Sequence, residues 1–355
     1  MAGMPLLVLS SASLLARSVA ADALRANYPT APYIQLDAHV ENGAGTTITT
    51  RTYAPAQTEA TQETAVYRKT QCTSCATRTH LSHLPDSDEL VLIALPIGVS
   101  QASVVHPDDE TTGHPITSCT LALIADDLED DLWDGNSLTD RGLTGSCSDD
   151  RTPGEFLISE LAYADTVISV SNSLLSTQTA QETQERTADL LSHLAPHAHL
   201  ITDPSQPFTC AAYRAGAVTS RLVPGHLATC HPQAQEAAQG AETCGHLHGP
   251  NFTSAVLTAD SILDTQALAQ HLPHIVEGAC RVRGHVWLTD HPQERVAVEG
   301  IGPTVWLQTC GEWGPDIPPR SIIVVTGDDL DPDHLQDMLN QCTIDTDALS
   351  RQLLH

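Results

Sequence analysis

The stretch "PLLVLSSASLLARSVAADALRANYPTAPYIQLD", residues 5–37, decides how the chain begins to fold. Its first six residues are a short apolar run that is typical of a buried strand. Apolar residues then recur at helical spacing at Leu15, Val19 and Ala23, and the prolines that follow end the helix. A second apolar run, "APYIQLD", predicts another strand. The order strand, helix, strand indicates an α/β domain.

Further runs of the same kind follow in the first half of the chain. "ELVLIALP" (89–96), "CTLALIADD" (119–127) and "DTVISVS" (165–171) are nearly continuous apolar stretches of strand length, and "FLISELAYA" has a helical pattern. Strands without polar alternation are buried on both faces, which is typical of a parallel sheet covered by helices. We therefore predict a parallel α/β sheet.

The C-terminal part of the chain has a different pattern. Several strand-like runs between 251 and 327 are interrupted by one helical stretch, and a last helix opens at Asp331 with Pro332 and Asp333 in its first turn. This pattern predicts a smaller α+β unit. We place an α/β domain at 1–205, a linker rich in His, Gly and Pro at 206–250, and the α+β unit at 251–355.

The charge balance is strongly acidic. The chain has 44 acidic and 16 basic residues, for a net charge of -28, and Lys69 is its one lysine. Such a surface repels phosphate backbones, so we expect no direct binding to DNA or RNA. It suits solubility in general, and it also suits a partner protein that is basic.

The cysteines and the N-terminus bear on location. Ten cysteines in 355 residues are too few for a small disulfide scaffold, so we expect a reducing, cytoplasmic setting in which most are buried. The N-terminal apolar run lacks a basic leader, and Arg17 interrupts it, which favours a buried strand over a signal peptide. The run is too short to span a bilayer, so no membrane partner is expected.

The turn after the first strand is where a nucleotide-binding protein would carry its phosphate loop. That loop needs G-x-x-x-x-G-K-[ST], because its glycines let backbone amides wrap the phosphates and its lysine reaches their oxygens. Here Ser11 and Ala16 stand at the glycine positions, and Arg17 and Ser18 at the Lys-Thr positions. The Cβ atoms obstruct the close backbone approach, so this is a degenerate phosphate loop at most.

Several motifs together resemble the CobW family of P-loop GTPases and metallochaperones. "CTSC" (72–75) resembles the family's C-x-C-C, with Ser74 at the middle cysteine, and "LAYADTVISVSNSL" (161–174) resembles its Y-A-D-x-I-V-L-N-K-x-D segment. "VRGHVWLTDHP", "GEWGPD" and "DDLDPDHLQDMLNQCTIDTDAL" resemble the family's C-terminal motifs. The resemblance implies a P-loop-NTPase-like domain followed by a small, ferredoxin-like CobW C-terminal domain.

The resemblance is eroded where the family does its chemistry. The base-reading N-K-x-D is replaced by Val170, Ser171, Asn172 and Ser173, and Ala94 stands near the position of the family's acidic residue. GTP with Mg²⁺ is therefore not an expected ligand. One actinobacterial branch of the family likewise lacks a P-loop, has C-x-S-C, and is implicated in zinc starvation and in recruiting a ribosome hibernation factor. "CTSCATRTHL" resembles that branch.

The C-x-x-C motif is a candidate metal site. Thiolates and imidazoles suit zinc, and a structural zinc site wants four ligands. Cys72 and Cys75 supply two, and a following helix would bring His80 and His83 to one face. A redox pair, or two cysteines near surface histidines without a shared role, are the alternatives that the spacing leaves open.

A second candidate cluster lies in the predicted linker. Cys230 and His231 are followed by "CGHLHG", which holds Cys244, His246 and His248 and resembles the His-rich tract of many CobW proteins. Because the chain has 18 histidines, chance clustering competes with a metal role here.

Two functions are compatible with these observations. The first is a CobW-like zinc-homeostasis protein with a decayed nucleotide site, which binds metal and recruits a protein partner such as a ribosome-associated hibernation factor. The second is a GTPase metallochaperone of the same family with weak activity, in which Arg17 and Ser18 keep the phosphate-loop roles.

Overall fold

The computed structural model describes most of the chain and divides it into two compact units. The described residues are 4–41, 45–68, 70–85, 87–105, 114–171, 177–226, 246–314 and 318–344. The first unit comprises Met1–Ala188 and His197–Val218, and the second comprises Asp189–Pro196 and Thr219–His355. The helix Ala215–Leu222 and the two-residue strand Leu247–His248 lie in the stretch predicted as a linker.

The first unit is built on a mixed sheet that alternates with helices. In the described residues the sheet has eight strands in the order β4-β3-β2-β5-β1-β6-β7-β8. The strands are β1 Leu6–Ser10, β2 Tyr33–Glu41, β3 Gly45–Tyr53, β4 Ala60–Tyr67, β5 Val91–Ala94, β6 Ile116–Ile124, β7 Thr166–Val170 and β8 His199–Ile201. The helices are α1 Leu14–Asn27, α2 Thr73–Leu81, α3 Leu128–Trp133, α4 Pro153–Tyr163, α5 Thr177–Leu194 and α6 Ala215–Leu222.

The centre of this sheet is parallel, as predicted. β1 pairs in parallel with β5 and β6, and the parallel pairing continues to β2, β7 and β8. Every residue of β1, β5 and β7 is buried, because helices and loops cover both faces of the sheet. The core consists mainly of Leu, Val, Ile and Ala, in agreement with the scarcity of aromatic residues.

A hairpin that the sequence analysis did not predict extends the sheet on one side. β3 pairs antiparallel with β2, and β4 pairs antiparallel with β3. Its signal was present in the threonine-rich, β-branched strands "GTTITTRTY" and "ATQETAVY". An apolar run is not required here, since most residues of β4 are exposed.

The buried face of α1 differs from the predicted one. The buried residues of this helix include Ala16, Ala20 and Leu24, whereas Leu15 is 50% exposed. The true stripe is therefore shifted by one position from the predicted row of larger apolar residues. Alanines face the sheet because they allow the helix to approach it closely.

The second unit is an α+β structure with an antiparallel sheet. Its described strands follow the order β13-β12-β11-β14-β10-β9, and all of their pairings are antiparallel. The strands are β9 Leu247–His248, β10 Thr253–Ala259, β11 Ala279–Leu288, β12 His291–Ile301, β13 Thr304–Glu312 and β14 Ser321–Gly327, and the helices are α7 Thr265–Ile275 and α8 Pro332–Gln341. One hydrophobic core joins both helices to the sheet.

The predicted start of the last helix in this unit is confirmed. Asp331 caps α8, accepting the backbone N–H of His334, and Pro332 begins the helix.

None of the described helices combines the length and the apolar character that crossing a bilayer requires.

Candidate functional site

The turn between β1 and α1 occupies the place of a phosphate loop but is closed on itself. The Ser11 hydroxyl donates to the Ser13 carbonyl and accepts the Ser13 backbone N–H, each at 3.0 Å. The Ser13 hydroxyl in turn accepts the backbone N–H of Ala16 at 3.3 Å and caps the helix. Amides that a phosphate loop would direct at an anion are here bonded to serine side chains.

The connection between β1 and α1 is also short. α1 begins at Leu14, so only three residues separate it from β1, and the Cβ of Ala16 is packed in the core. Leu14 is 67% exposed and Ser18 is exposed at this end of the helix. Ser18 is therefore open to solvent beside apolar surface, and not in a polar cradle.

Arg17, at the lysine position, is turned into the protein. Its side chain is 5% exposed, and its NH1 donates to the carbonyl oxygens of Leu36 and Leu95, both at 3.1 Å. Its NH2 donates to Oδ1 of Asp37 at 2.7 Å. The guanidinium thus joins the middle of β2 to the residue that follows β5, and it neutralises a carboxylate of the same chain.

Asp37 is the residue that the sequence analysis missed at this position. Its second oxygen accepts hydrogen bonds from Arg51 and from Gln35. Burial raises the pKa of Asp37, but the hydrogen bonds and charge of Arg17 outweigh burial, and the pKa is lowered overall. An acidic residue at the end of the strand "APYIQLD" was the available signal, since strand ends of this kind face the functional edge of a sheet.

A second polar network lies nearby and had no sequence signal. Glu160, on α4, is fully buried and accepts the Ser100 hydroxyl and the backbone N–H of Gln101. The amide of Gln101 donates to Ser10 at the end of β1 at 2.8 Å. Burial raises the pKa of Glu160, and the hydrogen bonds from its serine neighbours oppose that rise. These contacts hold the segment after β5 against β1.

Of the base-reading segment, only its beginning is described. Val170 ends β7, and the Ser171 hydroxyl donates to Gln184 at 2.9 Å. Asn172 and Ser173 lie outside the described residues.

The two cysteines of the C-x-x-C motif lie together at the start of α2. Cys72 caps this helix, and its Sγ accepts the backbone N–H of Cys75 at 3.2 Å. Both side chains are exposed, and neither forms a disulfide. A hydrogen bond between the two thiols is the main cause of the raised pKa of Cys75, and burial is the next.

The predicted histidines do not join these thiols. Both ring nitrogens of His80 are engaged, since Nε2 lies 2.8 Å from the Thr50 hydroxyl and Nδ1 lies 2.9 Å from the Tyr67 hydroxyl. Burial, and after it the charge of His83, lowers the pKa of His80. His83 lies beyond the end of α2, and its Nδ1 contacts the Thr79 carbonyl at 2.6 Å.

The second candidate cluster is described only in part. His246 and His248 flank the strand residue Leu247 with their rings 6.2 Å apart, and burial lowers the pKa of His246. Cys230, His231 and Cys244 lie outside the described residues.

The donors fit zinc in kind but not in number. Exposed thiols on adjacent turns suit a soft metal, and closed zinc sites take four ligands. Among the residues that the structure describes, no group of three or more His, Cys, Asp or Glu side chains is arranged to hold a metal ion. Cys72 and Cys75 can therefore supply two ligands, and further ligands must come from elsewhere.

Similarity to known proteins is clearest in the second unit. Residues 252–343 match the family model of the cobalamin synthesis protein CobW C-terminal domain. This part of the chain is thus a CobW C-terminal domain, and the predicted class, a parallel-rich α/β sheet with such a domain, is confirmed.

Two solved structures are similar to the chain as a whole. One is the Zn(II)-bound YjiA GTPase from E. coli, at 12% identity over 97% of this chain and 100% of that one, with a TM-score of 0.40. The other, a Zn(II)-bound triple mutant of YjiA GTPase, gives the same values. No curated protein matches the chain.

Proposed function

We propose that this chain is a CobW-like, cytoplasmic zinc-homeostasis protein whose nucleotide site has decayed. The observation that carries the proposal is the position of Arg17. A phosphate-binding cation must be free to meet the anion, whereas this guanidinium is buried and hydrogen-bonded to Asp37 and to two backbone carbonyls. The CobW C-terminal domain supports placing the whole chain in that family.

The self-closed turn after β1 supports the same conclusion. Binding a triphosphate would require breaking the Ser11 and Ser13 hydrogen bonds and withdrawing Arg17 from Asp37. Uncovering a buried ion pair in this way is costly, because each separated charge must find new partners. GTP in the presence of Mg²⁺ is therefore not expected to bind in the micromolar range.

Titration calorimetry with GTP and Mg²⁺ tests this part of the proposal. The wild type and Arg17→Ala should both give no binding heat at micromolar concentrations. Micromolar binding by the wild type that disappears in Arg17→Ala would favour the alternative, a weakly active GTPase.

The metal role that we propose belongs to Cys72 and Cys75. Both thiols are exposed and adjacent, and they suit zinc as soft donors. Two thiols do not close a zinc site, so the remaining ligands would come from His83, from residues outside the described part of the chain, or from a partner protein. Binding of metal would then depend on the partner, as recruitment requires.

Elemental analysis of purified protein tests the metal role. The Cys72→Ser/Cys75→Ser variant should lose the zinc that the wild type retains, and Cys147→Ser is the matched control because it removes another exposed thiol. Equal zinc in wild type and double variant would contradict a site at this pair.

The partner that we propose is a basic protein, with a ribosome-associated hibernation factor as the specific candidate. The net charge of -28 supports attraction of a basic protein and disfavours contact with RNA. Co-purification at low and high salt tests it, because an electrostatic complex should weaken as ionic strength rises.

A further inference from the structure

We propose that Cys72 and Cys75 form a thiol–disulfide exchange site whose substrates are small, uncharged disulfides. The observation behind the proposal is that both cysteine side chains are exposed at the start of one helix. The Cys72 sulfur lies 3.2 Å from the backbone nitrogen of Cys75 and accepts its N–H. This activity goes beyond the metal role proposed above and needs no metal.

The placement of Cys72 suits it to react first. As the N-cap residue, Cys72 stands before the helical turn that holds Cys75, and its sulfur accepts a backbone N–H of that turn. The first turn of α2 contains no acidic residue. Cys75 lies one turn further, in position to act as the resolving thiol.

The surroundings of the pair are rigid, which keeps the two sulfurs together. Thr77 and Thr79 bond back to the carbonyls of Thr73 and Cys75, at 2.8 and 2.9 Å. His80 ties the same helix to the β3–β4 hairpin through Thr50 and Tyr67. The dithiol therefore sits at the exposed end of a helix whose far end is anchored.

The reaction is balanced in two steps. The Cys72 sulfur attacks a disulfide RSSR, forming a mixed disulfide and releasing one RSH, which carries away the Cys72 proton. The Cys75 sulfur then attacks the Cys72 sulfur and releases the second RSH. Two electrons pass from the cysteine pair to RSSR, and the protein retains an intramolecular disulfide.

The charges around the pair favour an uncharged substrate. The net charge of -28 repels anionic disulfides at long range, whereas the nearby cation Arg78, one turn along α2 from Cys75, repels cationic ones at short range. Hydroxyethyl disulfide is uncharged and is the probe that we choose. Metal is removed with a chelator beforehand, so that failure of the zinc role and failure of this inference are distinguishable.

The sequence makes the product easy to identify. Trypsin cleaves after Lys69 and Arg78 and releases residues 70–78, which hold Cys72 and Cys75 and no other cysteine. After reaction of the full chain with the probe and quenching with an alkylating reagent, we expect this peptide to lose two hydrogens and to escape alkylation. The rate should exceed that of mixed-disulfide formation at exposed Cys147 by about tenfold.

Two variants distinguish thiol–disulfide exchange by the cysteine pair from independent reaction of two exposed thiols. In Cys75→Ser the probe should remain attached to Cys72, because no resolving thiol is present, whereas Cys147→Ser should behave as the wild type. A wild-type peptide 70–78 that carries the probe on both cysteines, or that reacts no faster than Cys147, would overturn the proposal. A wild-type peptide that closes to the disulfide would uphold it even if no zinc is ever bound.

Discussion

At the scale of single residues, Arg17 shows how the identity of one side chain determines whether a cation after the first strand faces solvent or the protein interior. A lysine there would extend toward phosphates, but the longer, planar guanidinium turns inward and satisfies Asp37 and two carbonyls. In this chain Arg17 is a structural cation. Its effect on stability should therefore be larger than that of an ordinary surface arginine.

Arg17→Ala should lower the free energy of unfolding by about 2–4 kcal/mol, because it leaves two buried carbonyls and part of a carboxylate unpaired. Arg51→Ala removes the other cation of the same carboxylate and, being 37% exposed on its side chain, should cost less than about 1 kcal/mol. Urea unfolding followed by circular dichroism measures both. Equal losses of unfolding free energy in the two variants would contradict the argument that burial of Arg17 makes its hydrogen bonds more important for stability.

His285 predicts a pH effect within the second unit. Burial, and then the charge of Arg295, lowers its pKa to about 4, and its ring lies 5.5 Å from that of Trp313. The folded state then binds fewer protons than the unfolded one between pH 4 and about 6.5. Stability is complete above pH 6.5 and is lost as the pH falls toward 4.

His285→Gln should remove this share of the acid sensitivity, which reaches at most about 3 kcal/mol near pH 4. Thermal unfolding at several pH values between about 7.5 and about 4.5 measures this loss of stability. The control is His274→Gln, which removes an exposed imidazole of the same unit. An unchanged loss of stability on acidification in His285→Gln would contradict the burial argument.

At the scale of elements, the second unit contains a close approach of two backbone segments that only glycine allows. Gly225 has φ of +67°, and a Cβ there would lie 2.2 Å from the carbonyl oxygen of Gly284 in β11. Its backbone N–H donates to Glu299, which also pairs with Arg281 and Arg283. The segment after α6 thus contacts β11 and β12 of the second unit.

Gly225→Ala should destabilise the second unit by about 1–3 kcal/mol, because the strained conformation and the contact with Gly284 cannot both be kept. Gly216→Ala is the control, since nothing lies within 4 Å of a Cβ at that helical position. That change should be neutral or stabilising by up to about 1 kcal/mol. Denaturant unfolding of the two variants distinguishes them, and equal destabilisation would contradict the close-approach argument.

At the scale of the whole molecule, the acidic charge is the dominant feature. A net charge of -28 makes the folded chain repel itself, and mobile ions screen that repulsion over about 10 Å at 0.1 M salt. The basic partner that we propose would be attracted by the same charge, so stability and partner binding are both expected to respond to ionic strength.

The melting temperature should rise between about 10 mM and about 0.5 M NaCl, because screening relieves repulsion in the compact state more than in the expanded one. Choline chloride is the control, since its large cation screens without entering carboxylate sites. A rise in NaCl alone would indicate cation binding, and a fall in both salts would contradict the prediction.

The sequence by itself determined the parallel core of the first unit, the α+β character of the second and the start of its last helix, because apolar periodicity and capping residues such as Asp331 act locally. It also determined the acidic net charge and the spacing of the cysteine pair, whereas the exposure of both thiols is a finding of the structure. The β3–β4 hairpin was not predicted, because its strands are largely polar and gain their stability from pairing.

Only the tertiary structure decided what the candidate site residues touch. Arg17 meets Asp37, 20 positions away, and the Leu95 carbonyl, 78 positions away, because both lie just beyond the point where the parallel pairing of β2 with β5 ends. His80 follows Cys72 and Cys75 closely in sequence but is bound by Thr50 and Tyr67 of the hairpin. Spacing along the chain sets which residues are available, whereas packing sets which partners they find, and hydrogen bonding to those partners determines their chemistry.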